Sequence, residues 1–122
     1  MIPERYSADQ LLNFSGGDKE FVSGLLEMFL VQARKDMDTM RTLTEAKNWE
    51  EMKFVAHRLR SSSGSVGANG IAVTCSELET YLKSSGGIKK DVYLYVDNFL
   101  TTTVSELTEI EQELKKLTDG GN

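Results

Sequence analysis

The sequence predicts an all-α fold: an antiparallel four-helix bundle with a short extra helix at its N-terminus. Three observations predict it. The single proline is Pro3, so every later segment keeps the backbone N–H groups a helix needs. Apolar residues recur at steps of three and four along almost the whole chain, with no sustained alternation of the kind a half-buried strand requires. Glycine pairs and a Ser/Gly-rich stretch cut this pattern into four long amphipathic segments with short connections, the signature of a bundle.

The short helix is expected over Ser7 to Phe14, closed by Gly16-Gly17. A long helix follows from Asp18, a good N-cap residue, to Ala46. Its inward stripe is read as Val22, Leu25, Leu26, Phe29, Ala33, Met37, Met40 and Leu43. Asn48 restarts the chain as an N-cap, and Glu51 three residues later can complete a capping-box-like pair. That third long-range element ends in the stretch from Gly64 to Gly67. A further helix is expected from Ala68 to Ser84, burying Ile71, Cys75, Leu78 and Leu82, and Ser84-Ser85-Gly86-Gly87 breaks it. The last, from Ile88 to Leu117, repeats Val96, Leu100, Thr103, Leu107, Ile110, Leu114 and Leu117 in steps of four and three.

Residues 1–122 are read as one domain, since 122 residues suffice for a single core and not for two. No apolar run reaches the roughly 20 residues that span a bilayer, and no signal-peptide pattern opens the chain, so a cytoplasmic protein without membrane contact is expected. A lone cysteine, Cys75, rules out an internal disulfide, and one Cys with one His cannot make an ordinary zinc site; no metal and no bound cofactor are expected. The net charge of −5 argues against nucleic acid as a partner. No Gly-rich loop carries the Lys-Ser/Thr of a nucleotide-phosphate site, so Gly16-Gly17 and Gly86-Gly87 are turns.

Chemistry concentrates at the only histidine, His57. At about 100° per residue, Met52, Val55, Ala56, Leu59 and Val66 cluster on one face of its helix, and the imidazole falls about 150° from their centre. Lys53, Arg60, Ser61 and Gly64 share its outer face, and Phe54 leans outward where the core does not need it. A largely neutral imidazole is nucleophilic at one ring nitrogen. Lys53 and Arg60 can compensate a phosphoryl group's charge, with Ser61 and Gly64 small enough for a partner's backbone to approach. The window from Lys53 to Ser61 holds three basic residues and no acidic one, a reversal of sign suited to an acidic partner, with Phe54 and Arg58 as docking candidates. The plainer alternative is a solvated helix face that happens to be polar.

The residues from His57 onward resemble the histidine-containing phosphotransfer domain of two-component phosphorelays, whose pattern is roughly H-x-L-K-G-S-[SA]-x-x-[LV]-G-A, an apolar residue, then C-x-x-L-E. His57, Leu59, Ser62, Val66, Gly67 and Ala68 match, and Ile71, Cys75, Leu78 and Glu79 continue the match. Phe29-Leu30, Asn48-Trp49-Glu50 and Ala56 are similar upstream, so the motif similarity covers about Gly17 to Leu82. The resemblance implies a monomeric signalling intermediate in which His57, through Nε2, accepts a phosphoryl group from a receiver-domain aspartyl phosphate and passes it to another receiver. It implies response-regulator receivers or a hybrid sensor kinase as partners, with Mg²⁺ on the receiver. Ala68 would help close the turn, Cys75 and Leu78 would hold the next helix against that of His57, and Gln32 is a candidate for a polar contact near the ring. Two positions depart from the pattern: Arg60 stands where Lys is usual, keeping charge but exchanging an ammonium for a planar fork, and Ser61 stands where Gly is usual.

Two other functions are weighed. A dimerising histidine helix of a sensor kinase usually carries an acidic residue after the histidine, where this chain has Arg58. A non-catalytic helical adaptor would bind a receiver without taking a phosphoryl group.

Overall fold

The computed structural model describes residues 5–84 and 91–119. They form five helices: α1 (Asp9–Phe14), α2 (Lys19–Glu45), α3 (Trp49–Ser65), α4 (Asn69–Ser84) and α5 (Val92–Asp119). No strand occurs among the described residues. The four long helices pack as a ring, α2 on α3, α3 on α4, α4 on α5 and α5 back on α2, while α1 lies against α2. The predicted all-α bundle with a short N-terminal helix is what the chain adopts.

Helix ends follow from local chemistry. Asp18 caps α2, its side chain accepting from Phe21 N at 2.9 Å. Asn48 caps α3 by accepting from Glu51 N at 3.2 Å, but its own N–H donates to Leu43 O at 2.9 Å, so only half of the expected capping box forms. Three helices close alike, with an N–H reaching back five residues past a left-handed residue: Gly17 to Leu12, Asn48 to Leu43 and Ala68 to Ser63. Gly16 and Gly67 supply the positive φ in the first and third, whereas Lys47 (φ 54°) carries it in the second. The helix expected from Ser7 begins at Asp9, and α5, expected from Ile88, is described from Val92; Ile88 lies outside the described residues.

The core runs through the ring of helices. Val22, Leu26, Met40, Met52, Leu59, Ile71, Leu78, Phe99 and Ile110 are sealed from solvent. Leu25 and Leu43, expected in the α2 stripe, sit at its edge and are half-buried; Leu30 joins the buried set instead. The stretch before α1 is also pinned: Tyr6 and Ala8 are buried, their N–H groups donating to Glu109 Oε1 (2.8 Å) and Glu113 Oε1 (3.1 Å). The Tyr6 hydroxyl donates to Val66 O at 2.7 Å, tying the chain start to the α3–α4 turn. Glu106 reaches from α5 to the N-terminus of α4, accepting from Ile71 N (2.8 Å) and Gly70 N (3.3 Å).

Candidate functional site: the exposed imidazole on α3

The packing of α3 settles which side chains face outward. Met52, Val55, Ala56, Leu59 and Ser63 point inward and are buried, leaving His57 on the open side with 56% of its side chain accessible. Phe54 is 65% exposed one turn earlier, and Ser61 and Gly64 lie open one and two turns later. A Cβ added to Gly64 would meet nothing within 4 Å, so the fold itself does not demand a glycine there.

Beneath the ring lies Glu79 of α4. It is 5% exposed, and its Oε2 stands 2.9 Å from His57 Nδ1. Lys83 Nζ reaches the same oxygen at 2.9 Å, and Arg60 Nε approaches Oε1 at 3.4 Å as an ion pair rather than a hydrogen bond. Burial acts to raise the pKa of this carboxyl, but the bonds from Lys83 and His57 outweigh it and hold the group below the ordinary carboxylate range. Glu79 is therefore an anion at neutral pH.

Arg60 Nη2 also lies 3.1 Å from His57 Nδ1. One ring nitrogen cannot both donate to a carboxylate and accept from a guanidinium, which never gives up its proton. The nearer, buried, charged acceptor decides: Nδ1–H donates to Glu79. This assignment of the proton leaves the ring's lone pair on Nε2.

The remaining predicted residues fall into place around this pair. Lys53, 24% exposed, is engaged by Glu50 at 3.0 Å. Arg58 turns toward α2, where Nη2 donates to Asp36 Oδ1 at 2.6 Å, while 60% of its side chain remains accessible. Gln32 Nε2 donates to the same Oδ1 at 3.1 Å, so its described bond is to Asp36 and not to the imidazole. Ser61 contributes its carbonyl to Ser65 Oγ (3.1 Å), and its own hydroxyl is exposed. Cys75 is fully buried, and burial together with Asp36 and Glu79 pushes its thiol up to about 12, so it stays a packing residue.

Sequence reasoning gave Glu79 no task and passed over Asp36 and Lys83. A signal for the first two was present. Glu79 continues the stripe Ile71, Cys75, Leu78 and Leu82, and Asp36 falls within Ala33, Met37 and Met40. A carboxylate on a buried stripe is rare unless a cation meets it. Among the described residues, no three or more His, Cys, Asp or Glu side chains gather as a metal site would require, and no helix is long and apolar enough to cross a membrane.

The chain matches the Hpt domain family model over residues 24–120. It is 26% identical over 126 residues to histidine-containing phosphotransfer protein 2 of Oryza sativa subsp. japonica, covering 94% of this chain and 81% of that one. The phosphorelay intermediate protein rdeA of Dictyostelium discoideum is 24% identical over 113 residues, 93% of this chain and 43% of that protein. The virulence sensor protein BvgS of Bordetella pertussis is likewise 24% identical over 113 residues, which are only 9% of its length. No solved structure gives a significant match. A family model spanning most of the sequence, over a helical bundle that presents one oriented imidazole, makes this chain a member of the Hpt domain family, the phosphorelay intermediates of two-component signalling.

Proposed function

We propose that His57 is the phosphoacceptor, taking a phosphoryl group through Nε2 from the aspartyl phosphate of a receiver domain and returning it to the same or another receiver. The observation that carries this reading is the 2.9 Å contact between Nδ1 and the buried Glu79 carboxylate on a ring that is otherwise open to solvent. It favours the tautomer with the proton on Nδ1 and the lone pair on Nε2. On docking, the Nε2 lone pair forms the N–P bond as the bond between phosphorus and the aspartyl oxygen breaks, and the aspartate leaves as a carboxylate. The ring gains positive charge in this step while its proton stays on Nδ1, where Glu79 stabilises the imidazolium that develops. Return transfer reverses these events, and the neutral imidazole, its proton still on Nδ1, is then the leaving group.

Little else is asked of the domain. Magnesium belongs to the receiver, and this chain supplies position, a charge-compensated surface and exclusion of water once docked. Phe54 offers an apolar anchor, and Arg58, held at one nitrogen by Asp36, presents the rest of its planar fork to an acidic partner. Arg60, Lys53 and Ser61 flank the phosphoryl position, and Gly64 leaves room for the partner's backbone. The domain works as a monomer in the cytoplasm on this reading.

The test is transfer from a panel of purified, phosphorylated receivers. Wild type takes label, and His57→Gln takes none while keeping its helicity, because the packing face of α3 is unchanged. Binding without label in wild type would instead identify an adaptor, and label retained by His57→Gln would refute the acceptor assignment.

A further inference from the structure

Lys83 stands one turn beyond Glu79 on α4, with 61% of its side chain exposed, and it has no place in the transfer step described above. Its ammonium shares Glu79 Oε2 with His57 Nδ1, each at 2.9 Å. Two contacts of hydrogen-bond length on one atom keep Nζ within roughly 6 Å of the ring nitrogen.

The charges facing the ring can be counted helix by helix. On α3, Lys53 is matched by Glu50 and Arg58 by Asp36 of α2; Gln32, the other α2 group near Asp36, is neutral. What remains is Arg60 from α3 with Lys83 and Glu79 from α4: two cations on one carboxylate. Removing Lys83 leaves Arg60 and Glu79 to cancel each other.

We infer that Lys83 is an electrostatic positioning residue for the phosphorylated state: held against Glu79, its ammonium offsets the ring's own carboxylate, so that a dianionic phosphoryl group on Nε2 meets net positive surroundings. The inference rests on the reading of His57 as acceptor. Glu79 must be an anion to orient the ring, yet that anion alone would repel the incoming phosphoryl group. Lys83 resolves the conflict without disturbing the Nδ1–H bond. The phosphoryl group on Nε2 lies across the ring from Nδ1, so the separation is about 10 Å, and a unit charge acting on a dianion there, at the dielectric of water, shifts an equilibrium on the order of fourfold.

The test compares Lys83→Met, which keeps an apolar stem, with Lys83→Arg, in the full chain. The first measurement is the phosphoryl exchange equilibrium with a phosphorylated receiver at low and high salt. The second is a ³¹P titration of phosphohistidine made with phosphoramidate, a small donor that needs no receiver. Lys83→Met is expected to shift exchange about fourfold toward the receiver at low salt, with the gap closing near 1 M, where screening acts over about 3 Å. Its phosphoryl group should release its last proton at higher pH than in wild type, and Lys83→Arg should restore both readouts.

Values for Lys83→Met that match wild type at low salt would overturn the inference. So would a loss that persists at high salt and is not rescued by Arg, since that pattern belongs to a structural role. Should no receiver label the wild type while phosphoramidate still modifies His57, the receiver reading fails and the ³¹P titration alone decides the case of Lys83. Failure of His57 to take a phosphoryl group from either donor would overturn both.

Discussion

Glu106 and Glu79 each reach from their own helix to a neighbouring one, and they are held in opposite ways. Glu106 of α5 meets backbone: the N–H groups of Gly70 and Ile71 at the start of α4. Glu79 of α4 meets side chains: the imidazole of His57, the ammonium of Lys83 and the guanidinium of Arg60. Their acidities diverge accordingly. Burial raises the pKa of Glu106, and the two backbone bonds do not undo that; at Glu79 the bonds from Lys83 and His57 more than compensate for burial. A carboxylate facing fixed amide dipoles is a fastener. One facing the side chains of His57, Lys83 and Arg60 belongs to a site where charge is concentrated.

Replacing each residue in turn breaks the comparison where the difference is greatest. Glu79→Ala removes the acceptor that orients the ring, and a charge-assisted bond worth about 1.5–3 kcal/mol corresponds to a loss of roughly 10- to 150-fold in phosphoryl acceptance at saturating receiver. Rapid-quench transfer assays measure it, and an unchanged rate would mean that the ring is oriented by something else. Glu106→Ala acts on the other side of the contrast. It strips the cap from α4 at a cost of about 0.5–2 kcal/mol in chemical denaturation, with transfer by the folded protein unaltered.

The smallest effect lies in the pH dependence of stability, where the two residues have opposite signs. Glu79 is depressed in the folded state, so its contribution is present above the ordinary glutamate pKa of about 4.3 and is lost as pH falls below it, through the lowered folded value. Glu106 is raised, so the folded state holds its proton more tightly. Stability is then greatest below about 4.3 and declines as pH climbs from there through the raised folded value. Glu79→Gln should flatten the acid-side loss and Glu106→Gln the decline above it, read from unfolding midpoints across pH 3 to 7. Slopes of equal sign in the two variants would remove the distinction.

How much of this was legible beforehand differs between fold and site. Helix number, order and most inward residues follow from periodicity, because burial of one face is a property of single helices. The outward placement of His57 follows for the same reason. Its partners do not, since the pairing of α3 with α4 depends on how two helices are rotated against each other. Glu79, 22 residues from His57, becomes its neighbour only through that packing. Arg58 is the clearest case. Read along one helix it is an exposed cation on the docking face; in the bundle one of its nitrogens is bound to Asp36, a carboxylate 1% exposed. Lys47 at a left-handed position escaped notice because nothing in its side chain announces it.

Adjacent residues of α3 are thus tethered to opposite neighbours, His57 to α4 through Glu79 and Arg58 to α2 through Asp36. Rolling the helix about its long axis in either sense would stretch one tether, so the bearing of the ring is fixed before any visitor arrives. Any visitor therefore meets the ring at a bearing set by two neighbouring helices and not by α3 alone.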